Sequence, residues 1–322
     1  MTPAWTDVHH HWISPSLQQA LTARSDADKG GGAAVRAASQ AFPSLADLPA
    51  QQEELAEAGG TAVLSLPPIG PAVDGRPDAA AVLRSCNDEL IDAVGSGDSF
   101  VSAMMVLPLP DVEQSLAELG RIGSRPAVSG VMVYATPTRR PLDDPSYEPV
   151  WAAAADLGLP LFLHPEADPL PQIDGWRLSD SLAPPVSTSL QAARMMLSGT
   201  LDRVPQLTLI IPHLGGVLPY LAQRLVDLSG SGDGEHDVLH YLRHRVYLDT
   251  CSYHEPALRC ALDTVGSARL LLGSDYPFRG PVARCVDDIT RADLAAEDHH
   301  AILRANASIL FASSRGPSMA GH

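Results

Sequence analysis

Two kinds of hydrophobic pattern alternate along the chain. Short, nearly unbroken apolar runs recur at WTDVHHH (5–11), TAVLSLP (61–67), FVSAMMVLP (100–108), VSGVMVYA (128–135), LPLFLHP (159–165), LTLIIPHLG (207–215), VYLDTCS (246–252) and ARLLLGSDYP (268–277), and each predicts a strand. Between them lie alanine- and leucine-rich stretches of helical period, such as SLADLPAQQEELAEAG, DAAAVLRSCNDELIDAVG, DVEQSLAELGRIG, SYEPVWAAAADLG and TSLQAARMMLSGTLDRV. Several start at Ser, Thr or Asp and end at Gly, as helix caps require. Strands that are apolar on both faces belong to a parallel sheet covered by helices. Eight such strand–helix units predict a single (β/α)8 TIM barrel rather than a doubly wound open sheet, with its active site at the C-terminal mouth. We expect the barrel to occupy residues 1–312 and the polar residues 313–322 to form a flexible tail.

The least regular stretches, residues 23–43 and 165–187, follow the first and fifth strands and would lie over that mouth. Chemistry-bearing residues gather at the same end. Side chains alternate along a strand, so Asp7, His9 and His11 should share one face while Val8, His10 and Trp12 share the other. His9 and His11 would then have Cα atoms about 7 Å apart, a spacing from which two imidazoles can converge on one ion. His10 is left for a structural hydrogen bond. His164, His213 and Asp275 end the fifth, sixth and eighth predicted strands. A barrel would collect all of these in one mouth, which predicts a metal centre.

Composition narrows the partners. The net charge of −16 opposes a phosphate backbone or an anionic membrane surface, and no stretch is apolar enough to span a bilayer. Lys29 is the sole lysine and sits in the polar run SDADKGGG, so a P-loop, a Schiff base and a carbamylated bridging lysine all lack their residue. Cys86, Cys251, Cys260 and Cys285 form no CxxC pair, and no leader pattern precedes the first strand. Both features predict a cytoplasmic protein with reduced thiols. His236, His240 and His244 fall at helical spacing but lack the glutamate of HExxH, and are read as a solvated helix face. Trp176 with Arg177, and Tyr253 with His254, lie in loops after the fifth and seventh strands, from which they can line a substrate pocket. Arg24 and Arg36 lie in the loop after the first.

The set DxHxH near the N-terminus, HP after the fifth strand, HLGG after the sixth and GSDYPF after the eighth resembles the amidohydrolase superfamily. More narrowly, it resembles the branch that contains aminocarboxymuconate semialdehyde, 6-methylsalicylate and γ-resorcylate decarboxylases, and the likeness spans nearly the whole chain. The resemblance implies His9, His11, His164 and Asp275 as ligands of one divalent metal, Zn²⁺ or alternatively Mn²⁺, and His213 as the acid or base beside it. It also implies Arg224 as a contact for a substrate carboxylate, and a homodimer. The fourth strand carries no lysine for a carbamate bridge, so the implied centre is mononuclear. One departure stands out: AQQEELAEAGG lacks the arginine that family members often carry there, which argues against a dicarboxylate of the muconate type.

The expected activity is therefore a metal-dependent, non-oxidative decarboxylation of a small aromatic or enol-type carboxylic acid, with Asp275 or His213 delivering the proton. The alternative is hydrolysis of a lactone, amide or ester by metal-bound hydroxide with His213 as base. Asp7, on the face of the two N-terminal ligands, is expected to orient one imidazole.

Overall fold

A computed structural model describes residues 3–22, 40–68, 76–135, 140–166, 175–251 and 254–312. Eight parallel strands run in sequence order in one sheet: β1 (Thr6–His11), β2 (Thr61–Ser65), β3 (Phe100–Val106), β4 (Val128–Ala135), β5 (Leu161–Pro165), β6 (Leu209–Ile211), β7 (Val246–Asp249) and β8 (Leu270–Leu271). The ring closes between its first and last strands, where the Val8 amide donates to the Leu272 carbonyl at 2.9 Å and the His11 amide to the Tyr276 carbonyl at 3.1 Å. The fold is the expected (β/α)8 barrel. The predicted tail, 313–322, lies outside the described residues.

Helices cover the outer wall. They include α1 (Pro15–Thr22), α2 (Leu48–Ala58), α3 (Ala79–Gly95), α4 (Val112–Ile122), α5 (Glu148–Asp156), α6 (Ala183–Leu197), α7 (Leu218–Ser229), α8 (Val238–His244), α9 (Glu255–Val265), α10 (Val282–Arg291) and α11 (Asn306–Ala312). Asp47, Asp111 and Asp237 cap α2, α4 and α8 by accepting from the amides of Ala50, Gln114 and His240. The predicted helical run 188–204 is broken at Gly199, which takes φ +71°. Inside the ring and beneath the helices the strands supply a continuous core that includes Val8, Leu64, Met104, Val131, Phe162, Ile210, Leu248 and Leu271.

The last three strands are shorter than their apolar runs, and the cause is local. β6 stops where Pro212 removes an amide donor and His213 and Leu214 enter the left-handed region at φ +57° and +54°. β8 is followed by Gly273 and by Asp275 at φ +56°. These departures from strand geometry fall at the C-terminal mouth and re-aim the side chains there.

At the opposite rim the Trp5 ring packs onto Gly60, where a Cβ would come within 2.2–2.3 Å of ring atoms. Gly60→Ala should therefore lower stability by about 1–3 kcal/mol, the cost of overpacking a filled site. Gly95, at the end of α3, has nothing within 4 Å of the place a methyl group would occupy, so Gly95→Ala should be neutral or slightly stabilising. Denaturant melts of the two variants test the contrast, and equal loss in both would contradict it.

Candidate metal centre

Four side chains converge at the mouth. The Nε2 atoms of His9 and His11 are 3.0 Å apart, and His164 Nε2 lies 3.1 Å from each. Asp275 Oδ1 is 3.2 Å from Nε2 of both His9 and His11. A regular tetrahedron with bonds of about 2.0–2.1 Å has edges of about 3.3 Å, so these four donors already stand near the spacing of a zinc-sized ion's shell.

The outer nitrogens fix the direction of the inner ones. His9 Nδ1 faces Asp249 Oδ2 at 2.6 Å, His11 Nδ1 faces the Leu66 carbonyl at 3.1 Å, and His164 Nδ1 faces the Pro165 carbonyl at 2.7 Å. Each of these partners accepts, so each ring keeps a proton on Nδ1 and turns the other nitrogen to the centre. Three ring nitrogens and Asp275 Oδ1 then face one another, an arrangement that needs a proton or a metal cation between them. The donor set fits a divalent metal.

Without a cation the cluster holds a proton instead. Burial alone would lower the pKa of His9, but the charges of Asp275 and Asp249 outweigh it and raise the value to about 10. Burial keeps His11 below its ordinary value, and burial with the neighbouring charges of His11 and His9 pushes His164 well below it. Burial works to raise the Asp275 carboxyl, yet the charge on His9 and the hydrogen bonds from His11, His213 and His9 hold it well below the usual carboxylate range.

His213 stands beside the four. Its left-handed backbone is held by a hydrogen bond from its amide to Asp249 Oδ1 at 2.8 Å, and its Nε2 lies 3.6 Å from Asp275 Oδ2. His10 faces away from the cluster: its Nδ1 lies 3.1 Å from Asp7 Oδ2, and its ring stacks on Tyr276 with centroids 4.4 Å apart.

Asp7 differs from expectation. Its Oδ1 accepts from the amides of His9 at 3.0 Å and Ser274 at 2.9 Å, and its Oδ2 from the Ser274 hydroxyl, so the only imidazole it touches is that of His10. The pairing of β1 with β2 shifts register between Asp7 and His10, which breaks the simple alternation there. The carboxylate that orients a ring of the cluster is Asp249, overlooked in the sequence. Its signal was present, since an acidic residue closes the apolar run VYLD at a strand end.

Of the expected substrate contacts, Trp176 and Arg224 do not join the cluster. Trp176 is 90 % exposed on a turn in which it and Arg177 both have left-handed φ, which throws the ring outward. Arg224 is exposed on α7, two residues and so about 200° round the helix from the buried Ala222. Tyr253, Arg24 and Arg36 lie outside the described residues. Aromatic rings that do approach include Phe162, 4.9 Å from that of His9, Phe278, 5.9 Å from that of His11, and Tyr134, 6.3 Å from that of His164. His236, just before α8, stacks on His240 with centroids 3.7 Å apart, and His240 and His244 on α8 lie tilted to each other at 4.6 Å, on a partly exposed face.

Comparison with known proteins places this geometry in context. Residues 6–312 match the family model described as amidohydrolase. The chain is 29 % identical over 289 residues to gamma-resorcylate decarboxylase of Rhizobium sp. strain MTP-10005, an alignment covering 83 % of this chain and 88 % of the relative. A crystal structure of 2,6-dihydroxybenzoate decarboxylase complexed with 2,6-dihydroxybenzoate superposes with a TM-score of 0.81 at 27 % identity, covering 97 % of this chain and 100 % of that one. Dihydroxybenzoic acid decarboxylase from Polaromonas sp. JS666, with bound manganese and the inhibitor 2-nitroresorcinol, gives 0.82 at 25 % identity, covering 99 % and 100 %.

Metal analysis of purified variants tests the centre. His9→Ala and His11→Ala should abolish stoichiometric metal, His10→Gln should retain it, and Asp249→Asn should weaken affinity by about 10- to 100-fold; equal loss in all four would contradict the geometry. Because His9 is protonated below about pH 10 in the metal-free site, uptake of Zn²⁺ at pH 8 should release about one proton, and the release should vanish above pH 10. An indicator dye in weak buffer reads it.

Proposed function

Because the chain belongs to the amidohydrolase family, we propose that it is a metal-dependent, non-oxidative decarboxylase of a small ortho-hydroxylated aromatic carboxylic acid. The observation that carries this reading is the inward-facing cluster of three imidazoles and Asp275 at the barrel mouth. The likeness to dihydroxybenzoate decarboxylases along the whole chain supports this chemistry over hydrolysis.

His9, His11, His164 and Asp275 would hold one divalent ion. When bound, that ion supplies a positive charge that draws in and polarises the hydroxyl and carboxylate oxygens of the substrate. Decarboxylation breaks the bond between ring carbon and carboxyl carbon; the electron pair stays on the ring carbon, which takes a proton. Asp275 is held ionised, so it can deliver a proton only after receiving one. His213 Nε2, 3.6 Å from Asp275 Oδ2, is placed to pass it. Phe278 and Tyr134 form apolar walls near His11 and His164, suited to the two sides of an aromatic ring.

Three finer points belong to the same reading. Three imidazoles and one carboxylate suit Zn²⁺, while manganese in the Polaromonas relative makes Mn²⁺ the alternative. Leu182, Val186 and Leu190 are exposed at intervals of four residues at the start and along the outer face of α6, which supports a homodimer that covers them. All four cysteines are free thiols, and among the described residues no helix is long and apolar enough to cross a membrane; the thiols support a cytoplasmic location.

Metal-loaded protein should release CO2 from 2,6-dihydroxybenzoate or another member of an ortho-hydroxybenzoate panel. Asp275→Asn and His213→Ala should each lower kcat by about 10²- to 10⁴-fold. Failure across the panel together with turnover of lactones or esters would overturn the proposal in favour of hydrolysis.

A further inference from the structure

A second group of donors adjoins the first. One ligand atom each from His213, Cys251 and Asp275 lies within 4.8 Å of the others. Cys251 is buried, two residues past the end of β7, and among the described residues its thiol makes a weak 3.8 Å contact to the Ser274 carbonyl. Among the described residues His213 Nδ1 is buried with no hydrogen-bond partner, and its Nε2 lies 3.6 Å from Asp275 Oδ2. A buried imidazole with one nitrogen orphaned and the other held only by a long contact to a carboxylate, at the edge of a polar site, points to a missing ligand.

The two halves of Asp275 face different groups. Oδ1 is directed at His9 and His11, and Oδ2 at His213. A carboxylate so placed can bridge two ions, which in bridged sites sit about 3.5–4 Å apart. The backbones that carry the other two donors are tied to one atom, because Asp249 Oδ1 accepts both the His213 amide at 2.8 Å and the Cys251 amide at 3.0 Å. Sulfur at about 2.3 Å and nitrogen at about 2.0–2.1 Å from a zinc ion are about 3.6 Å apart, so the three donors need to close by about 1 Å.

We propose that His213, Cys251 and Asp275 form a second, thiolate-containing metal position that takes a thiophilic divalent ion such as Zn²⁺ once the cluster of three imidazoles is filled. The inference rests on the proposed first centre, since Asp275 is common to both. Binding exchanges the thiol proton, released to solvent, for a sulfur–metal bond, with no change of oxidation state. The position is weaker than the first because it offers fewer imidazoles and must deprotonate a thiol. Its occupancy takes His213 out of proton transfer, so excess Zn²⁺ acts as an inhibitor.

Co²⁺ titration of the metal-free protein reads each position separately. The first equivalent should give visible cobalt bands without a sulfur-to-cobalt charge-transfer band in the near ultraviolet, and the second should add that band. Cys251→Ser should keep the first step and lose the second, and His213→Asn should also lose the sulfur band. In parallel, inhibition of the Zn²⁺-loaded enzyme by a further equivalent should disappear in Cys251→Ser. Saturation at one equivalent without a sulfur band overturns the second position and leaves the first standing. A sulfur band that survives in Cys251→Ser overturns it by assigning the band to another cysteine. Failure of the first equivalent to bind overturns the metal centre itself and the second position with it.

Discussion

The mouth of this barrel is organised around one buried carboxylate. Asp249 ends β7 with its side chain fully enclosed, and it accepts from the His9 ring at 2.6 Å, the His213 amide at 2.8 Å and the Cys251 amide at 3.0 Å. A carboxylate in such a place is stable only when its oxygens are hydrogen-bonded. Those three donors come from β1, the end of β6 and the end of β7, so satisfying one charge locks three strand ends into register. Room for it comes from the neighbouring strand end, because a Cβ on Gly273 would sit 2.7–2.9 Å from the Asp249 side chain. The glycine of GSDYPF is there for close approach.

Asp7 does the same for the seam of the barrel. It joins β1 to the segment after β8 through the amide and hydroxyl of Ser274, while also holding His10. The left-handed backbones of His213, Leu214 and Asp275 are the consequence of this tying. Such conformations cost non-glycine residues roughly 1–3 kcal/mol each and persist where the surroundings over-determine them. Here they turn two side chains out of the strand direction and toward the ligand cluster, so strain and site have the same cause.

Electrostatics completes the arrangement. Two carboxylates and three imidazoles share a buried space, and without a metal the negative charge is partly offset by a proton on His9, whose pKa is raised to about 10 by Asp275 and Asp249. His9, His11, His164 and Asp275 would hold a divalent ion in place of that proton, through lone pairs that already face one another. The ring orientations do not have to be created on binding, because each Nδ1 is already engaged by Asp249, Leu66 or Pro165.

Local periodicity in the sequence was enough for the eight strands, the helices between them and the parallel barrel. It was also enough to split HHH into His9 and His11 on the cluster side and His10 on the other, since side-chain alternation over three residues is a local property. The strand-end rule found His164, His213 and Asp275 for the same reason. It overlooked Asp249 and Cys251, and it gave Asp7 the role that Asp249 holds. That role depends on a hydrogen bond between residues 240 positions apart, made only when the ring of strands closes. Placement of Arg224 and Trp176 was likewise a matter for tertiary structure, because a helix face or a loop turn has no direction until the barrel packs against it. The sequence determined which polar side chains stand at the strand ends; barrel closure around two buried carboxylates decided which of them meet.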